Sequence, residues 1–161
     1  MSAAETTDLD PNDYAKRISI GAPQIKVFDA VASMAGLRSW WTPLTSGSTD
    51  IGGEVRFDFA GLDEPIIMRV DQSQLPAIVQ WTCLTNVGHP EWEGTTLTFS
   101  VQELTAESCE LNFRHAGLRP ALLCYDQCRA GWDHFLASLA ASVERGAGTP
   151  FAGVPGDRFD P

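Results

Sequence analysis

The chain has 161 residues, 43% of them hydrophobic, which suits one domain built on one substantial core. Its 21 acidic residues against 11 basic ones leave a formal net charge of −10, a field that repels phosphate backbones and anionic lipid and so disfavours nucleic acid and membrane surfaces. No stretch approaches the roughly 18 consecutive apolar residues of a membrane-spanning helix. The opening MSAAETTDLDPNDYAKR has neither the basic nor the apolar region of a signal peptide, so a cytoplasmic location is expected.

Residues 1–15 are polar and acidic and read as a flexible tail, with a single domain over 16–151 and an extended Pro/Gly-rich tail over 152–161. A short strand is predicted around Arg17–Ile20, closed by Gly-Ala-Pro. Pro23 suits the first turn of a helix, on which Ile25, Phe28, Val31, Ala32 and Ala35 share one face. GLRSWWT predicts a second short helix, ended by Pro43.

A run of strands follows. Val55, Phe57 and Phe59 alternate with Glu54, Arg56 and Asp58, the period-two pattern of a sheet with one buried face. Ile66, Met68 and Val70 continue it, PAIVQWTCLTN supplies a further strand, and Leu97, Phe99 and Val101 face inward on the next. On the last strand Cys109, Leu111, Phe113 and His115 share the inward parity. The short turns predict an antiparallel meander. A long helix is expected after Pro120, running to about Arg145 and stopped by Gly146 and Gly148. The order is α+β: about six antiparallel strands, two short helices before most of them, and a long C-terminal helix across one sheet face.

Few residues carry obvious chemistry. There is no GxSxG, no phosphate-cradling loop, no CxxC and no HExxH, so neither a metal nor a cofactor is expected. Cys83, Cys109, Cys124 and Cys128 read as buried, inert thiols, because a bridge between positions four apart on a helix has poor geometry. Cys109 and His115 are too far apart along one strand to form a nucleophile–base pair. His89, before Pro90, reads as an exposed loop residue. At about 100° per residue, the long helix gathers Tyr125, Cys128, Trp132, Phe135, Leu136, Leu139 and Val143 on one face and puts His134 on the opposite, polar side. His115 is the weak catalytic candidate. It stands either at the mouth of an apolar pocket, as a hydrogen-bonding or acid/base group, or at the core edge, satisfied by a backbone carbonyl or a Trp or Tyr neighbour.

The segments ISIGAPQIKVFDAV, LRSWWTP, IGGEVRFDF, GHPEWEGTTLTFSV, LNFRHAGL and GWDHFLASLAASVERGAGTPF, in this order over about residues 16–151, resemble the SRPBCC (START/Bet v 1-like) superfamily, in the branch named after the activator of Hsp90 ATPase. The resemblance implies a helix-grip fold, a curved antiparallel sheet gripping the C-terminal helix. Members bind sterols, lipids, polyketides or hormones in a cavity, some are cyclases, aromatases or hydrolases, and eukaryotic namesakes bind Hsp90. No universal catalytic residue can be carried over.

Three functions are therefore expected to compete. The first is binding of a small hydrophobic or aromatic molecule between sheet and helix, by Phe28, Trp41, Phe57, Phe59, Met68, Trp81, Leu97, Phe99, Phe113, His115, Tyr125, Trp132 and Phe135. The second is a cyclase- or hydrolase-like enzyme on the same cavity, with His115 its foremost polar group. The third is a chaperone-interacting module. A monomer or homodimer fits all three.

Overall fold

The computed structural model describes residues 10–59 and 61–151. The expected second tail, and residues 1–9 of the first, lie outside the described residues. The strands are β1 (Tyr14–Ile20), β2 (Leu44–Gly47), β3 (Glu54–Asp58), β4 (Ile66–Gln74), β5 (Ile78–Thr85), β6 (Thr96–Thr105) and β7 (Ser108–Ala116). The helices are α1 (Gln24–Ala32), α2 (Met34–Trp40) and α3 (Tyr125–Arg145), with a single 3-10 turn at Pro90–Trp92.

All seven strands form one antiparallel sheet in the order β1-β7-β6-β5-β4-β3-β2. Strands β2 to β7 are a meander, and β1 joins its far edge with Tyr14 opposite His115 and Ile20 opposite Cys109. The register of β4 against β5 slips at Ile67/Met68 and again at Val70/Gln72. Such irregularities increase local twist and bend a strand, which helps the sheet curve. The helices cover its inner face: α1 packs on β5, β6 and β7, while α3 packs on α1, α2 and β1. This is a helix grip.

Strand alternation predicts the inner face well. Val55 and Phe57, then Ile66, Met68 and Val70, then Leu97, Phe99 and Val101, then Cys109, Leu111, Phe113 and His115 are all buried. Other features differ from expectation. The described residues form seven strands because LTSG forms β2, an edge strand in which Thr45 alone is buried, so no apolar alternation announces it. The strand β1 begins at Tyr14, inside the stretch read as tail. Ile25 is 49% exposed, and α1 buries Val27 and Ala30 beside the expected Phe28 and Val31. Ala35 belongs to α2, because the chain turns extended at Ser33. The long helix starts at Tyr125, after turns closed by Leu122 N–H to Arg119 O and Tyr125 N–H to Leu122 O. Gly146 ends it in the left-handed region at φ 71°, where glycine carries no steric penalty.

Candidate functional site

Strand parity and one helix face bring most of the expected ligand-contacting residues into one layer. Phe57, Met68, Trp81, Leu97, Phe99, Phe113 and His115 come from the sheet and are 0–1% exposed. Trp132 and Phe135 come from α3, and Trp41, directly after α2, inserts between the layers. The rings then meet one another. Trp41 stands 4.3 Å from Phe57, 5.2 Å from Trp132 and 6.2 Å from Trp81, between ring centroids. Trp81 continues to Phe99 at 5.0 Å, Phe99 to Phe113 at 4.9 Å, and Phe113 back to Trp132 at 4.5 Å. Phe59 lies between Trp41 and Phe151. These are contact distances for aromatic pairs. Two residues stand apart: Tyr125 is half-buried at the start of α3, and Phe28 faces a different part of the surface.

His115 lies at the edge of this layer with both nitrogens engaged. The Trp132 indole N–H donates to Nδ1 at 3.1 Å, so Nδ1 must be the unprotonated nitrogen. Nε2 then carries the proton and donates to Thr95 Oγ1 at 2.9 Å, while that hydroxyl donates to Trp92 O. The Trp92 ring packs edge-on to the imidazole at 4.7 Å. Burial pushes the His115 pKa down to about 3, against a small opposing pull from Asp13. The ring is neutral at ordinary pH, and every polar atom it has is occupied. Its chemistry here is to fix the orientation of Trp132 and Thr95.

The other histidines also differ from expectation. His134 was placed on a solvated helix face, but chain 147–151 returns across that face. His134 Nε2 lies 3.2 Å from Thr149 O and its ring packs edge-on to Phe135. Ser138 holds this return in place: its hydroxyl donates to Trp40 O at 2.9 Å and accepts from Thr149 N–H at 2.7 Å. Helical arithmetic could not foresee a cover supplied by later residues. His89, expected in solvent, is half-buried, and burial lowers its pKa. It lies beside Cys124 and Cys128, with one donor atom of each residue within 4.8 Å of the others. Segment 85–90 and the N-terminus of α3 meet only in the fold, so no linear motif signals the trio.

A second polar cluster ties down the N-terminal segment. Asp13 accepts from Arg119 Nε at 2.7 Å and from Gly117 N–H at 3.0 Å. Burial raises this carboxyl, but those hydrogen bonds outweigh it and hold the pKa below the ordinary value.

On the outside, Ile25, Phe28, Asp29, Ala32, Thr49, Asp50, Ile51, Ser73 and Leu75 line an open groove of about 450 Å³. It lies between α1, the β2–β3 loop and the β4–β5 turn. Ile51 and Leu75 are 64% and 69% exposed, so apolar side chains project at its rim beside two carboxylates. Alternation and amphipathicity gave no sign of this groove, because Ile51 and Leu75 sit in turns and the α1 face carrying Ile25, Phe28 and Ala32 reads as a core face.

The model of the Activator of Hsp90 ATPase homolog 1-like protein family matches residues 21–144. No curated protein sequence matches the chain. Among solved structures, the Aha1 dimer from Colwellia psychrerythraea is 26% identical, with TM-score 0.74, covering 84% of this chain and 98% of its own. An HSP90 activator from Plasmodium falciparum is 16% identical with TM-score 0.66, covering 83% and 96%. DynU16, from the dynemicin biosynthetic locus, is 21% identical with TM-score 0.64, covering 86% and 49%. The last two share the fold alone. With the helix grip, the segment order and a family match over most of its length, this chain belongs to the Activator of Hsp90 ATPase homolog 1-like family.

Proposed function

We propose that this chain is an accessory protein of an Hsp90-type chaperone, acting from its outer surface. The observation that carries this reading is the packed interior: Trp41, Phe57, Trp81, Phe99, Phe113 and Trp132 satisfy one another at centroid distances of 4.3–6.2 Å. A small apolar ligand between sheet and helix would have to part these rings, giving up contacts it could only partly replace. The family match and the 26% identical Aha1 relative support the same partner class. The net charge of −10 supports steering toward a basic partner surface.

The groove carrying Ile25, Ile51 and Leu75 is the candidate contact for the chaperone's apolar side chains. Its apolar rim is exposed in the free chain and can be covered without unfolding anything. The test adds the chain to the Hsp90-type chaperone of its own host and follows ATP turnover and complex formation by sedimentation. Turnover should rise saturably, and the exposed double substitution Ile51→Asp/Leu75→Asp should weaken the complex by about tenfold or more, a loss of roughly 1.4 kcal/mol. No complex, combined with thermal stabilisation by an apolar compound, would move the function back to the interior.

A further inference from the structure

We propose that His89, Cys124 and Cys128 form a binding site for a thiophilic cation of the zinc(II) class. The three come from two segments that the fold brings together. Cys124 is the residue preceding α3 and Cys128 lies one turn along it, on the same side of the helix. His89 precedes the 3-10 turn, and its backbone N–H donates to Asn86 Oδ1 at 3.0 Å, which holds the loop in place. One donor atom from each of the three lies within 4.8 Å of the others. Ligands of a single tetrahedral zinc ion stand about 3.5–4 Å apart. Small rotations of three side chains close that difference.

Three further observations point to a ligand here. Among the described residues, His89 Nε2 is buried without a hydrogen-bond partner. A buried polar atom left so costs free energy, which a bond to a cation would recover. The Trp92 indole N–H donates to Cys128 Sγ at 3.2 Å. A donor aimed at a sulfur stabilises its thiolate, the usual outer support of a metal-bound cysteine. The Glu91 carboxylate lies beside the site, accepting from Cys124 N–H at 3.3 Å, and fixes the start of the helix that carries both sulfurs, with water completing a tetrahedral set.

The chemistry of the donors selects the ion. Two sulfurs and an imidazole suit zinc and exclude the hard cations magnesium and calcium. An imidazole is largely neutral near pH 7 and able to ligate there. Without an ion, cysteine thiols keep their protons near pH 7. A dication reverses that preference. Loading exchanges two S–H bonds for two zinc–sulfur bonds, adds one zinc–nitrogen bond, and releases two protons to solvent. The buried group of ion, two thiolates and neutral imidazole then has no net charge. Its consequence is mechanical: the ion fastens the β5–β6 connection to the start of α3. This inference does not depend on the chaperone reading.

The experiment titrates the reduced, metal-free full chain with cobalt(II) as the spectroscopic probe, then with zinc(II) against a chromophoric chelator. We expect one equivalent of cobalt with thiolate charge-transfer absorption and the intense bands of a tetrahedral ion, all displaced by zinc. Cys124→Ser and Cys128→Ser should each lower zinc affinity by about 100-fold, and His89→Ala by at least about tenfold, with unchanged circular dichroism. If a cysteine variant does not fold, X-ray absorption of the zinc-loaded wild-type chain decides, and two sulfurs in the first shell are required. A shell of nitrogen and oxygen alone, no stoichiometric uptake, or uptake unchanged in Cys128→Ser and His89→Ala overturns the proposal.

Discussion

His115 changes character once its neighbours are counted. Strand parity on β7 makes its inward direction legible, because it follows Leu111 and Phe113 in step. Its partners are not legible, since Thr95 and Trp132 belong to other parts of the chain and only the fold brings them to its two nitrogens. The consequence is a pH dependence of stability. The folded value near 3 lies below the ordinary 6.5, so above 6.5 neither state binds the proton. As pH falls from 6.5 toward 3, the unfolded chain protonates and the folded chain does not, and stability is lost over that window. At 1.36 kcal/mol per unit the full effect is on the order of 5 kcal/mol. His89 shifts in the same direction, while Asp13 acts lower, in the carboxylate range. His115→Phe should therefore lose about 1–3 kcal/mol at pH 7, from the Trp132 indole N–H left unpaired and the Thr95 hydroxyl deprived of its donor. Its stability should also fall less steeply between pH 6.5 and about 4. Urea unfolding of both chains across that range checks this, and equal slopes would contradict the assigned burial.

Among the elements, the strands were easier to read than the helices. A strand with one buried face repeats every two residues, and β3, β4, β6 and β7 carry that pattern in their own sequence. The pair α1–α2 is set by contacts instead. The chain turns at Ser33, whose hydroxyl accepts from Gly36 N–H at 3.0 Å, and the Trp40 indole N–H donates to Ala30 O at 2.8 Å. A Cβ on Gly36 would lie 2.5 Å from Asp29 O and 2.6 Å from Ala30 Cα, both backbone atoms that cannot step aside cheaply. Hence Ile25 turns outward although periodicity would bury it: the corner, not the stripe, fixes how α1 rolls. Gly36→Ala should cost about 1–3 kcal/mol, measured as a lower urea midpoint. An unchanged midpoint would mean that the corner is looser than this packing requires.

For the whole molecule, the sheet, the helices and their order were legible, and the use of the interior was not. Inward aromatic residues look alike in sequence whether they line a space or fill it. Which they do depends on Trp41, inserted from the end of α2, and on how Trp132 settles between Phe113 and Trp92. If the rings fill the layer, Trp41→Ala should lose about 3–5 kcal/mol, the range for a large side chain removed from a packed core. A loss below about 1 kcal/mol would indicate space already present.

The separation of a packed interior from a binding exterior is tested most directly by nuclear magnetic resonance of the labelled chain. The five tryptophan indole N–H signals report on the interior, and the amides of Ile25, Ile51 and Leu75 report on the groove. Adding the host's Hsp90-type chaperone should shift or broaden the groove amides, with the indole signals of Trp92 and Trp132 keeping their positions. Apolar small molecules should leave all five indole signals in place. Indole signals that move on adding such a molecule, with groove amides indifferent to the chaperone, would contradict it.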